Sequence, residues 1–161
     1  MANWIWNKLS DNVKTLDIFT DGLIDFEKII PSPKSKDDCP EEFRLDIHPN
    51  SMVTPTEERP WFNWYNWRNE HWGVSANADT HPHAKDTQLE FDTKWTPPTK
   101  ILEKLSAMIP DTEITLLWED MDNVMSPTHK DIYKNGKIIK RFQADYDPET
   151  DTLGNWIEIQ N

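Results

Sequence analysis

The sequence is short of cysteine, glycine, basic residues and apolar runs, and each shortage closes a class of function. Cys39 is the single cysteine, so no intrachain disulfide can form and the four thiolate-type ligands of an iron–sulfur cluster are missing. There are four glycines and no Gly-x-Ser-x-Gly or glycine-rich phosphate loop, which leaves the common nucleophile and nucleotide motifs without a foothold. Lys and Arg number 17 against 29 Asp and Glu, a formal net charge of −12. Direct binding to nucleic-acid phosphates or to an anionic membrane needs clustered cations and is disfavoured. No apolar run approaches the ~18 residues of a spanning helix, and Met1-Ala2-Asn3-Trp4 is not followed by a basic, then apolar, leader. A cytoplasmic setting is the expectation.

Large aromatics are abundant instead. Hydrophobic residues make up only 36% of the 161, against roughly 45–50% in ordinary globular domains, yet 9 are Trp, 6 Phe and 3 Tyr. Each Trp can bury on the order of 150–250 Å², so one folded domain is expected over 1–161 rather than an acidic disordered chain. The charge is unevenly spread. Residues 1–60 carry 7 basic and 12 acidic groups, residues 61–110 carry 5 and 6, and residues 111–161 carry 5 and 11. Net charge is therefore −5, −1 and −6, and five of the nine Trp lie in the near-neutral middle, the pattern of a core segment between solvated anionic flanks.

Period-2 alternation predicts a strand over Asn3–Leu9, and Ser10-Asp11 a helix running to about Thr20. Residues 31–60 contain six prolines and little periodicity; they read as a long irregular insert with one short strand over Phe43–Ile47. Trp61–Trp72 places aromatics at helical spacing directly after Pro60, with Gly73 as its stop. Val74–Ala78 and Gln88–Trp95 read as strands joined by the polar tip 79–86. Ile101, Leu102, Leu105, Met108 and Ile109 form the apolar stripe of a helix introduced by Thr96-Pro97-Pro98. Glu113–Trp118 is a further strand, Tyr133-Lys-Asn-Gly-Lys-Ile138 a hairpin with a type I′ turn, and Asn155–Ile159 the last strand. The order predicts an α+β, ferredoxin-like split β-α-β plan: an antiparallel sheet with helices on one face, a core over 1–120 with an insert at about 31–60, and an added C-terminal β extension over 121–161.

Four phrases in order carry a resemblance: Met1-Ala-Asn-Trp4, Phe26-Glu-Lys-Ile-Ile-Pro31-Ser-Pro33, Trp64-Tyr-Asn-Trp67-Arg-Asn-Glu-His-Trp72-Gly73, and Phe91-Asp-Thr-Lys-Trp95-Thr-Pro-Pro98 with Ile101-Leu-Glu-Lys-Leu105. Together they resemble the YubB ferredoxin-like domain family of small plasmid- and phage-borne proteins, over about residues 1–120. The resemblance implies a ferredoxin-like fold and a mobile-element origin, and brings no catalytic residue. Two positions depart from the family: Val74-Ser-Ala-Asn77 follows Gly73 where a Thr-Lys-Trp-type stretch is usual, and Ile5 stands where a Cys is usual.

Each candidate for chemistry also has a packing or surface role open to it. Asp79-Thr-His81-Pro-His83 contains ligand types a transition metal uses, but no further ligand has recognisable spacing, so no metal and no cofactor are expected. His48, His71 and His129 are scattered. Cys39 lies among Asp37, Asp38, Glu41 and Glu42, which disfavour a thiolate. Trp64, Trp67, Arg68, Trp72 and Trp95 form a possible aromatic pocket with Arg68 as an anion hook, or else the core beneath the sheet. Glu119, Asp120 and Asp122 with Asp145, Asp147, Glu149 and Asp151 form two acidic clusters, either plain solvated surface or the footprint of a basic partner. The reading favoured is a non-catalytic, monomeric or weakly dimeric phage or plasmid protein that binds a host protein. In its most concrete form it inhibits a host defence nuclease, in the anti-CRISPR or anti-restriction manner. The alternatives are a small-ligand protein or enzyme using the Arg68 pocket, and a structural accessory module of a larger assembly.

Overall fold

The computed structural model describes residues 2–19, 22–46 and 53–160. Strand β1 (Trp4–Leu9) alternates half-buried Trp4, Trp6 and Lys8 with buried Ile5, Asn7 and Leu9. Strands β2 (Glu90–Lys94) and β3 (Ile114–Asp120) flank it, both antiparallel to β1 and so parallel to each other. The connection between them is α3 (Thr99–Met108), which gives one split β-α-β unit around β1. The other half is β1, then α2 (Trp64–Trp72), then Asp79, which bridges antiparallel to Asp92 on the far side of β2. The ferredoxin-like plan is therefore present, with its outer strand contracted to a single bridge.

That contraction has a local cause. The expected strand Val74–Ala78 is tied elsewhere, because the Asn77 carboxamide accepts from the N–H groups of Phe26 and Ala78 and donates to Asp25 Oδ1 at 2.7 Å. Side-chain bonds of this kind compete with the β ladder. They hold the segment at the start of the short helix α1 (Phe26–Ile29), whose N-cap is Asp25. The predicted helix from Ser10 is likewise replaced, by two 3₁₀ turns at Asp11–Thr15 and Asp17–Phe19. The Ser10 hydroxyl accepts from Thr115 N and donates to Asn12, so it caps nothing. Thr20, Asp21, Ile47 and His48 lie outside the described residues. Of the strand expected over Phe43–Ile47 the described part forms one bridge, Arg44 to Phe62, after a 3₁₀ turn at Glu41–Phe43.

Helix α2 begins at Trp64 rather than Trp61 because the Asn63 side chain accepts from Asn66 N and caps it. It ends where Gly73 takes a φ of 80°, a left-handed conformation that glycine adopts without strain. Trp72 is fully buried, with its ring edge-on to Phe26 and Trp67, and Phe26 in turn meets Phe91. Ile101, Leu102 and Leu105 are fully buried on α3, each contributing about 1.5–3 kcal/mol of burial. Arg59 donates to Ser32 Oγ and Pro33 O, which ties the two ends of the insert together.

Beyond β3 the sheet continues through β4 (Thr128–Lys134), β5 (Lys137–Ala144) and β8 (Ile157–Ile159). Its order among the described residues is β2-β1-β3-β4-β5-β8. A small hairpin of β6 (Tyr146–Asp147) and β7 (Thr152–Leu153) intervenes. The Asn135-Gly136 turn has φ values of 46° and 79°, as a two-residue I′ turn requires. Gly136 N donates to Ser106 Oγ of α3, so the C-terminal hairpin is part of the main sheet and is held under its helix. Among the described residues no helix is long and apolar enough to cross a membrane.

Candidate functional site

Three groups of side chains deserve comparison as sites. In the first, the Arg68 guanidinium lies over the rings of Trp64 and Trp72, 5.3 and 5.0 Å from their centroids. Trp67 and Trp72 are 4% and 0% exposed, and Trp67 stacks on His71. Their surfaces thus serve the core. Burial holds the Arg68 pKa below its ordinary value, and its Nε has no hydrogen-bond partner. Trp95 is exposed at the turn after β2, with a φ of 72°.

The second group unites the two acidic clusters. Glu119 and Asp120 end β3, where Glu119 accepts from Thr128 Oγ1 and Asp120 from the N–H of Asp122. Asp122 accepts from Trp4 N at 2.6 Å. Asp145, Asp147, Glu149 and Asp151 belong to the β6–β7 hairpin, in which Asp147 binds Glu149 N and Thr150 Oγ1 and Asp151 accepts from the Tyr146 hydroxyl. Because Thr128 pairs with Ala144, the β3–β4 turn and this hairpin sit at the same end of the sheet. A cleft of about 600 Å³ between them is lined by Val124, Met125, Ser126, Asp145, Tyr146 and Pro148. Val124 and Met125 are 89% and 86% exposed. Exposure of that degree in paired large apolar side chains is uncommon without a partner. Sequence reading found the acids but not these apolar residues, whose only signal was Met121, Val124 and Met125 standing between strands in a polar turn.

The third group was visible only in part. Strand alternation puts Trp4, Trp6 and Lys8 on the sheet face away from α2 and α3, opposite Lys94, Asp92 and Glu90. The loop after Asp79 borders that face, with Lys85 N donating to the Glu90 carboxylate. It leaves a cleft of about 440 Å³ lined by Trp4, Asp79, Thr80, His81, Pro82, His83, Asp92, Met121 and Asp122. Asp92 is 8% exposed, and its Oδ1 has no hydrogen-bond partner. Burial pushes its carboxyl pKa up, neighbouring Asp79 adds to that, and His81 opposes it. His81 Nδ1 is within reach of His83 N–H, and its buried Nε2 is unpartnered. Lys94 lies over the Trp4 ring at 5.5 Å. The Asp-Thr-His-Pro-His phrase pointed here, but only the period of β2 could place Asp92 beside it.

The family model of the ferredoxin-like domain in Api92-like proteins matches residues 71–160. The chain belongs to that family. No curated protein and no solved structure matches it. The matched stretch of the Api92-type domain starts at the end of α2 and runs through β8, so it includes the C-terminal strands and excludes β1. Yet β1 lies between β2 and β3 in the sheet, and its Trp4 lines the third cleft.

Among the described residues no three His, Cys, Asp or Glu side chains are grouped to hold a metal ion. Cys39 is 1% exposed, and burial, more than the nearby Glu42 and Asp46, pushes its thiol pKa up. An inert packed thiol is the physical expectation for such a site.

Proposed function

We propose that this chain is a non-catalytic binding protein of phage or plasmid origin that docks on a host protein in the host cytoplasm, most concretely as an acidic inhibitor of a host defence nuclease of the anti-CRISPR or anti-restriction type. The observation that carries the reading is the end of the sheet where exposed Val124, Met125 and Tyr146 line one cleft with Asp145, between the turn that follows Asp120 and Asp122 and the hairpin that carries Asp147, Glu149 and Asp151. Apolar knobs within a charged rim are the anatomy of a protein interface. A rim of one sign selects a partner of the other, and the Lys- and Arg-lined channel of a nucleic-acid enzyme is such a surface. The mobile-element origin rests on the likeness of the four N-terminal phrases to the YubB family. Self-association through this surface would set the acidic rim against its own copy, which favours a monomer or weak dimer.

The test is retention of purified host nucleases on the immobilised chain, followed by competition with their nucleic acid. Retention should fall steeply with salt and be lost on combined Asp145→Lys, Asp147→Lys and Glu149→Lys substitution. Binding that is indifferent both to salt and to those substitutions would refute the decoy reading.

A further inference from the structure

We infer that the cleft formed by Trp4, His81, Asp92 and Asp122 seats a guanidinium side chain, an arginine presented by a partner. The inference rests on the basic-partner reading above only for the source of that arginine. The cleft's preference for a cation follows from its own residues.

Three carboxylates, Asp79, Asp92 and Asp122, line the cleft against two imidazoles, His81 and His83, and they turn away an anionic occupant. Asp92 is more than nine-tenths buried and keeps an unpartnered acceptor, Oδ1. An apolar occupant would leave that acceptor unsatisfied, at a cost native structures rarely carry. A metal ion is disfavoured because no three ligating groups converge among the described residues. What remains is a cation that donates hydrogen bonds. The Trp4 ring borders the cleft and supplies a π surface of the kind that attracts positive charge; Lys94 lies over the same ring at 5.5 Å, so an arriving guanidinium has to share the ring with it or displace it. Guanidinium fits better than ammonium, since its flat fork stacks on an aromatic ring while aiming several N–H groups at separate acceptors. A volume of about 440 Å³ is ample for one such side chain. Met121 and Pro82 give its methylenes an apolar wall.

Position supports the same occupant. Met121 and Asp122 border this cleft, and Val124 and Met125, a few residues on in the same turn, border the apolar cleft. A basic partner docked on the turn can therefore place an arginine on one side of it and apolar contacts on the other.

Nα-acetyl-arginine amide titrated into the full ¹⁵N-labelled chain provides the test. The indole resonances are followed by NMR, with Trp4 assigned from Trp4→Phe. We expect saturable shifts of the Trp4 indole, binding at least about tenfold weaker in Asp92→Asn, and no saturation with the neutral isostere Nα-acetyl-citrulline amide. The inference is overturned if Trp4 does not respond, if Asp92→Asn binds equally, or if citrulline amide behaves like arginine amide. The fold of Asp92→Asn is checked by the dispersion of the other indole signals. Because the probe is free in solution, a null result here with salt-sensitive retention of a nuclease would remove the arginine seat and leave the docking reading standing. Saturation by the probe without any nuclease retained would do the reverse.

Discussion

Asp92→Asn should make this protein more stable at neutral pH, an unusual outcome for a change at a buried residue. Asp92 is 8% exposed, its Oδ1 accepts no hydrogen bond, and Asp79 lies close enough to repel it. His81 offsets part of the repulsion, and Trp6 is the residue paired with Asp92 on β1. A buried polar group left unsatisfied costs about 1–3 kcal/mol, more if charged. The substitution keeps shape and removes charge, so a gain of about 1–2 kcal/mol is expected, or roughly 2–8 °C in Tm for a domain of this length. The pH dependence fixes the cause. The folded-state pKa is raised above the ordinary 3.8, so the folded protein binds the proton more tightly than the unfolded chain. Asp92 then does least harm below the unfolded pKa, and the harm grows as pH rises through the folded pKa. The gap in Tm between variant and parent should accordingly be wider at pH 7 than at pH 4, where it closes, measured by calorimetry on both proteins at matched salt. A variant that is less stable at pH 7, or a gap that ignores pH, would refute the claim that an uncompensated carboxylate is stored in this cleft.

Other expectations concern the far side of the sheet. Asp131 is 1% exposed, accepts two hydrogen bonds from Arg141 at 3.1 Å and a third from the Trp118 indole. Asp131→Ala should cost about 2–3 kcal/mol in denaturant unfolding, less than a fully buried pair because Arg141 can still reach water. His129 stacks on Trp118 at 3.8 Å, and burial holds its pKa below the ordinary 6.5. Its contribution is therefore intact above pH 6.5 and lost as pH falls through the folded pKa; His129→Phe, which keeps the stack, should flatten that part of the stability curve. Trp72→Ala, at 0% exposure and in edge contact with Phe26 and Trp67, should cost about 3–5 kcal/mol by the same assay.

How much of this was legible in the sequence depended on the range of the forces. Period-2 alternation located β1, and the stripe from Ile101 to Leu105 located α3, because both patterns record burial directly; the same alternation located β2, although there Glu90 and Asp92 are buried as well as Phe91 and Thr93. Asn135-Gly136 gave its hairpin through backbone sterics alone. The failures lie where a side chain chose a distant partner. Ser10 looks like a cap but is taken by Thr115, and the 74–78 strand dissolves because Asn77 bonds to the start of α1. The same limit governs the sites. Acidic clusters can be counted in a sequence, whereas their meeting at one end of the sheet needs the pairing of Thr128 with Ala144. The Trp4–Asp92 cleft needs residues from β1, the 80–89 loop and the β3–β4 turn, which no local pattern brings together.

The two clefts on either side of the 121–127 turn ought to differ in how they act on a partner. The acids Asp145, Asp147, Glu149 and Asp151 are exposed on the β6–β7 hairpin and its flanks, where charges are screened and chiefly guide encounter. Reversing Asp147 and Glu149 should slow association and reduce its salt dependence while leaving dissociation little changed. Asp92 is buried in the wall of one cleft, and Met125 stands proud beside the other; contacts of that kind set the lifetime of a complex. Asp92→Asn and Met125→Ala should accordingly hasten dissociation at nearly unchanged association rate, which surface plasmon resonance resolves on a single immobilised partner. If instead all four substitutions changed only the association rate, the acidic end of the sheet would be a steering field without an anchor, and the arginine seat would have no part in holding the complex.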